Sequence, residues 1–156
     1  MSAYNSDYGV WLTEQINHLK LHEWEQLDVS NLIEELEALN KSNKRELYSY
    51  LIVVLTHLLK WQYQPQMRSG SWRGSISNGR KRINRLFLDQ PSLKPYIAEI
   101  LVEAYTDATD WASEETLLPA FFFPPECPYT VEQILDTSFF PEPPTTEDDE
   151  DAKISY

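Results

Sequence analysis

Apolar residues recur three and four positions apart along most of this chain, and period-two alternation is nearly absent. Even the β-branched run Ile52-Val53-Val54 sits inside a helical repeat. The pattern predicts five helices and a tail. The first runs from about Tyr8 to Leu21, with Asp7 as N-cap and Tyr8, Trp11, Leu12, Ile16 and Leu19 as its apolar stripe. A short turn through Trp24 and Leu27 follows. The second starts after Asp28, which can cap it, and stops before Pro65. Leu32, Leu36 and Leu39 share a face, as do Leu47, Tyr50, Leu51, Val54, Leu58 and Trp61. At about 100° per residue the two sets fall on the same side, which predicts one continuous helix about 50 Å long. The alternative is a break across Asn40-Lys41-Ser42-Asn43, with Ser42 capping a new helix.

The third helix, about Ser71 to Asp89, places Trp72, Ile76, Ile83, Leu86 and Phe87 on one face. Gly70, Gly74 and Gly79 make it locally weak, since an interior glycine costs about 1 kcal/mol against alanine. The fourth begins at Ser92 and runs to about Thr116, with Pro95 near its first turn. Leu93, Ile97, Ile100, Leu101, Ala104, Ala108, Trp111 and Ala112 form its buried stripe, and Glu99, Glu103, Asp107, Asp110 and Glu114 its outer face. An aromatic linker from Pro119 to Pro128 carries Phe121, Phe122 and Phe123, which are expected to pack back over the bundle. Thr130-Val131-Glu132-Gln133 fits a capping box opening a short helix that ends near Asp136. The fold class is therefore all-α: a single-domain helical bundle on one long central helix, spanning residues 4–140. Residues 141–156, Pro-rich and then acidic from Glu147 to Asp151, read as a disordered tail.

Composition adds bounds. A chain of 156 residues that is 42% apolar suits one domain with a packed core. The longest apolar run, Tyr50 to Leu55, is too short to span a bilayer. The N-terminus lacks the features of a signal peptide, and the lone Cys127 cannot form an internal disulfide, which points to a cytoplasmic setting. Charge changes the picture most. From Leu47 to Leu88 there is no Asp or Glu, while Lys60, Arg68, Arg73, Arg80, Lys81, Arg82 and Arg85 lie there, seven of the thirteen basic residues. The segment is net +7 in a chain of net charge −12. Such segregation predicts a local positive surface able to hold something anionic.

Several short motifs resemble a known family. His57-Leu58-Leu59-Lys60-Trp61-Gln62-Tyr63-Gln64-Pro65 is similar to the signature of the family catalogued as domain of unknown function 29. Asn31-Leu32-Ile33-Glu34-Glu35-Leu36 resembles its start of the long helix, and Arg68 with Ser71-Trp72 its arginine–serine–tryptophan turn. Arg82-Ile83, Pro91-Ser92-Leu93, Ala104-Tyr105 and Glu115-Thr116 follow in order. Pro125-Glu126-Cys127-Pro128-Tyr129-Thr130 through Ile134-Leu135 resembles the closing motif. The resemblance implies a mostly cyanobacterial, all-helical family and brings no established activity. Gly74 and Gly79, where helix formers are expected, and the acidic tail depart from the pattern.

The leading candidate site is the set His57, Lys60, Trp61, Arg68 and Trp72 with Arg80 and Arg82. With Val54 at zero on the helical wheel, Trp61 falls at about −20°, His57 at about −60° and Lys60 at about −120°. Cations beside indole faces suit phosphates, nucleobases or an acidic peptide. The structural alternative is that these side chains lock a turn, with Arg82 pairing with Glu34 or Glu35. Glu34, Glu35 and His57 are the candidates for metal or acid–base chemistry, but no Glu-x-x-His occurs. Glu14, His18 and His22 have a metal-compatible spacing on the first helix but lack the zincin glutamate. Cys127 has no basic sequence neighbour to activate it. The reading is a non-enzymatic binding or adaptor module that uses residues 57–85 to hold an acidic protein or nucleic acid, with no cofactor and no membrane. The rival is a small metal-assisted hydrolase or nuclease using Glu34, Glu35 and His57. A homo-oligomer, with the positive surface of one copy on the acidic fourth helix of another, is also expected as an alternative.

Overall fold

The computed structural model describes residues 3–145, which form α-helices and short 3₁₀ turns with no strand among them. The acidic tail from Glu147 lies outside the described residues. Two compact units divide the chain, Met1–Asn43 and Lys44–Tyr156.

The N-terminal unit contains α1 (Ala3–Ser6), α2 (Tyr8–Lys20) and the first turns of α3 (Val29–Tyr63). Asp7 caps α2 as its sequence position implies, its carboxylate accepting from the Val10 amide at 3.0 Å. A 3₁₀ turn at Trp24–Gln26 leads into α3, which passes through Asn40–Asn43 without a break. Asp28 ties the two helices together. Its carboxylate accepts from the Trp11 indole at 2.9 Å and from Asn31 at 2.7 Å, and its amide donates to Gln15 at 2.7 Å. Further along, Tyr4 and Tyr8 donate to Glu35 at 2.7 and 2.8 Å. Contacts that step back along α2 step forward along α3, so the pair is antiparallel. The expected apolar stripe of α2 is only partly buried. Trp11 is covered, whereas Tyr8, Leu12, Ile16 and Leu19 are exposed, as are Leu36 and Leu39 of α3. The seam is built from the aromatic and polar groups just named, which rotates the aliphatic stripes away from it.

The C-terminal unit holds the core. Leu47, Leu51, Val54, Leu55, Leu58 and Leu59 of α3 face Ile76, Ile83 and Phe87 of α4 (Gly70–Asp89) and Leu93, Ile97, Ile100, Ala104, Ala108 and Ala112 of α5 (Leu93–Thr116); Trp111, expected in that stripe, is exposed. A 3₁₀ turn at Pro65–Met67 joins α3 to α4, and Ser69 caps α4 by accepting from the Trp72 amide at 3.2 Å. Gly79 is buried against α3, where a Cβ would lie 2.6 Å from Val54 Cγ2. Close helix approach, not weakness, is what this glycine provides. Gly74 has open space around it. The five acidic residues of α5's outer face are all exposed, as the sequence indicates.

After α5 the chain reverses through Leu117, left-handed at φ 59°. Of the three linker phenylalanines only Phe123 is buried. Phe122 is half-exposed and Phe121 points out, because the 3₁₀ turn Ala120–Phe122 turns its ring away from the core. The predicted capping box opens α6 (Val131–Leu135): the Gln133 amide donates to Thr130 Oγ1 at 3.2 Å, and the Thr130 amide to Gln133 Oε1 at 3.0 Å. Among the described residues no helix is long and apolar enough to cross a membrane.

Candidate functional site

The acid-free segment covers the later turns of α3, the following turn and most of α4, and four of its cations, Lys60, Arg68, Arg73 and Arg80, converge around Trp61, Trp72 and Phe140. Arg68 folds back over the end of α3. Its Nε donates to the Trp61 carbonyl at 2.8 Å, and its guanidinium stands 4.8 Å from the Trp61 ring centre. A second nitrogen donates to the carbonyl of Pro141 at 3.3 Å, and Pro141 is buried. Phe140 lies beside it, 5.0 Å from Trp61, with Arg73 at 4.6 Å and Arg80 at 5.5 Å from its ring centre.

Arg80 is fully buried. Its Nε donates to the Ile134 carbonyl at 2.7 Å and one Nη to the Gln133 carbonyl at 3.0 Å, while the other Nη has no hydrogen-bond partner. These carbonyls lie at the C-terminal end of α6, where a helix leaves acceptors unused. Burial pushes the Arg80 guanidinium below its ordinary pKa, and the Asp136 carboxylate opposes that shift. The cation therefore ties α6 to α4 rather than facing solvent.

Lys60 is likewise buried and makes an ion pair with Glu115 at 2.5 Å, its ammonium 4.7 Å from the Trp72 ring centre. His57, half-buried, donates its Nδ1 proton to the Val53 carbonyl at 2.7 Å and sits edge-on to Trp111. Burial lowers its pKa from 6.5, with a further push from Lys60. For Glu115 burial favours the neutral acid, but Lys60, the Trp111 indole and His57 outweigh it and hold the carboxyl below its ordinary 4.5. The signs give two windows. Below pH 6.5 the unfolded chain takes up a proton that folded His57 resists, so stability falls. The Glu115 contribution is present above 4.5 and is lost as pH falls through the lower folded value. Thermal melts should therefore be flat between about pH 7 and 9, decline below about 6.5 and again below about 4.5, and fall above about 10, where unfolded tyrosines ionise and Tyr4 and Tyr105 resist. His57→Gln should flatten the first decline and leave the second; parallel curves for the two proteins would contradict this assignment.

Of the predicted residues, His57, Lys60, Trp61, Arg68, Trp72 and Arg80 are drawn into this cluster, and Arg82 is not: it is exposed on α4 with Lys81 and Arg85. Sequence reasoning missed Glu115, Phe140 and the carbonyls of Gln133, Ile134 and Pro141. Glu115-Thr116 and the closing motif marked the regions, but a carbonyl acceptor leaves no side-chain signature.

Glu35, His18, His22 and Cys127 each engage neighbouring groups of the protein. Glu35 accepts from Tyr4 and Tyr8, and the Glu35 hydrogen bond helps push the Tyr4 phenol up to about 12. His18 pairs with Glu23 at 2.8 Å. His22 lies beyond the end of α2 at φ 59°, stacked on Trp24, so the helical spacing with Glu14 and His18 is not realised. Cys127 is half-buried with its thiol toward the Tyr129 carbonyl, and burial raises its pKa. Among the described residues no three His, Cys, Asp or Glu side chains gather as a metal site would require.

This order of helices and closing segments has a counterpart in a known family. Residues 3–140 match the family described as "Domain of unknown function DUF29". The chain belongs to that family. No curated protein and no solved structure matches it. Every residue of the cluster except Pro141 falls within the matched span of this DUF29 chain.

Proposed function

We propose that this DUF29 chain is a non-enzymatic binding module that uses the outer face of α4 to hold an anionic macromolecule, with an acidic polypeptide segment as the preferred occupant and nucleic acid as the alternative. The supporting observation is the division of labour among the cations. Lys60, Arg68 and Arg80 are taken up by protein acceptors, whereas Lys81, Arg82 and Arg85 are exposed within about one third of the helical circumference. Trp61 and Trp72, the rings that bases would stack on, are half-buried and already face Arg68, Phe140 and Lys60. Carboxylate contacts therefore fit this face better than base stacking. The net charge of −12 opposes nonspecific association with any polyanion, so either occupant must be held by these local cations.

The test uses fluorescent polyglutamate and a single-stranded oligonucleotide of equal length as probes. The chain should bind polyglutamate more tightly at low salt, and Arg82→Glu with Arg85→Glu should reduce that binding tenfold or more without changing the melting temperature by more than a few degrees. Tighter oligonucleotide binding with a steep salt slope would select nucleic acid. Binding of neither probe would remove the proposal.

A further inference from the structure

The N-terminal unit is nearly coreless. Among its described residues Trp11 is the one buried apolar side chain, while eleven large apolar side chains are 38–68% exposed. The C-terminal unit, more than twice as long, exposes seven. A helical hairpin with a single buried tryptophan does not exclude enough apolar surface to be held by its own contacts.

The exposed side chains are ordered. On α2, Leu12, Ile16 and Leu19 follow one another at helical spacing, and so do Val29, Ile33 and Leu36 on α3. The stripes are rotated about 90° on α2 and about 120° on α3 from the seam made by Trp11, Gln15, Asp28 and Glu35. Because the two helices are antiparallel, the same sense of rotation along each sequence turns both stripes to the same side of the hairpin. The result is one aliphatic face two helices wide.

We infer that this face is a self-association surface, and that a second copy of the chain covers it to form a four-helix layer pair. Three observations select a second copy. First, the six stripe side chains are 38–65% exposed and contiguous, so a two-fold related copy can cover them with the same six. Second, the acids that would repel a like-charged copy are turned away. Asp28 and Glu35 are hydrogen-bonded within the seam, and Glu14 lies opposite the α2 stripe. Third, the outer borders carry both signs, Glu37 and Lys41 on α3 and Lys20 on α2, so a two-fold related copy can meet its own rim without net repulsion. Two antiparallel hairpins stacked on aliphatic faces are also a stable helical architecture. The inference is independent of the basic face of α4.

Light scattering on the full chain after size exclusion tests it. The mass should be twice the 18.3 kDa chain mass at both low and high salt, since apolar contacts are not screened. Ile16→Glu with Ile33→Glu should give the single-chain mass, while Val102→Glu, an exposed apolar position of α5, should leave the dimer intact. Should the double variant lose its helical circular dichroism, the milder Ile33→Asn should raise the dissociation constant tenfold or more on dilution. A chain that is monomeric at every concentration overturns the inference. So does a dimer that separates in high salt and ignores Ile33→Asn, which would place the contact on charged surfaces. A monomer that instead binds an amphipathic leucine–lysine peptide or phosphatidylcholine vesicles overturns it in favour of a different occupant.

Discussion

Arg80→Ala is expected to destabilise the protein by about 3–5 kcal/mol, a large share of the stability of an ordinary domain. Two carbonyls at the end of α6 lose their donors, each at a cost of about 1–3 kcal/mol if they remain buried, and the vacated volume adds a cavity. The hydrogen bonds span more than fifty residues of sequence, so the loss falls on the attachment of α6 rather than on α4. Arg80→Met separates these contributions. It fills the space and removes the buried cation with its unpartnered nitrogen, so it should cost less than alanine even though the carbonyls stay bare. Arg80→Lys keeps the charge but cannot donate to two carbonyls from a fork, so it should not restore the native value. Urea unfolding midpoints give the ranking, and limited proteolysis between Phe123 and Pro141 locates the damage. An Arg80→Ala protein within about 1 kcal/mol of the parent, with that segment still protected, would show that α6 is held by its apolar contacts alone.

The second large effect has opposite signs at two glycines five residues apart. Gly79→Ala places a methyl within 2.6 Å of Val54 Cγ2, and Val54 is a buried β-branched residue with little freedom to turn aside. Overpacking of this kind costs about 1–3 kcal/mol, more than the helix propensity gained. At Gly74 no atom stands in the way, so Gly74→Ala should stabilise by about 0.5–1 kcal/mol through propensity and reduced freedom of the unfolded chain. Thermal melts of the two single variants check the pair. Stabilisation by both would mean that α3 and α4 yield at their crossing, and destabilisation by both would mean that α4 needs its flexibility.

Local rules were readable wherever a residue acts on its own backbone. Asp7 and the Thr130–Gln133 box cap helices because their side chains reach amides two or three residues away. The shared phase of Leu36 and Leu47 carried α3 across Asn40–Asn43, since a helix keeps its period through polar positions. The long-range contacts were less readable. The excess of cations near Arg80 was visible, but their acceptors are main-chain carbonyls, which every residue possesses. Gly79 looked like a weak point because propensity is local and helix crossing is not. The α2 stripe had the right period, yet periodicity reports that a face is apolar and not what covers it. Phe121 shows the same limit in a loop, where a turn decides which of three adjacent rings points inward.

The distance in sequence between Arg80 and its acceptors also orders events during synthesis. The guanidinium leaves the ribosome 54 residues before Ile134, which at ordinary translation rates is roughly 3–10 s. During that interval α3 and α4 can already meet through their apolar faces, but the site that will enclose Arg80 has no carbonyl to offer it. The nascent C-terminal unit therefore either keeps Arg80 in water, leaving α4 loosely docked, or buries an uncompensated charge. Closure becomes favourable only as Gln133 and Ile134 arrive. A chain interrupted within α5 would stay in that open state, presenting apolar surface to chaperones and proteases, so the clamp distinguishes a prematurely terminated product from one that has passed Ile134.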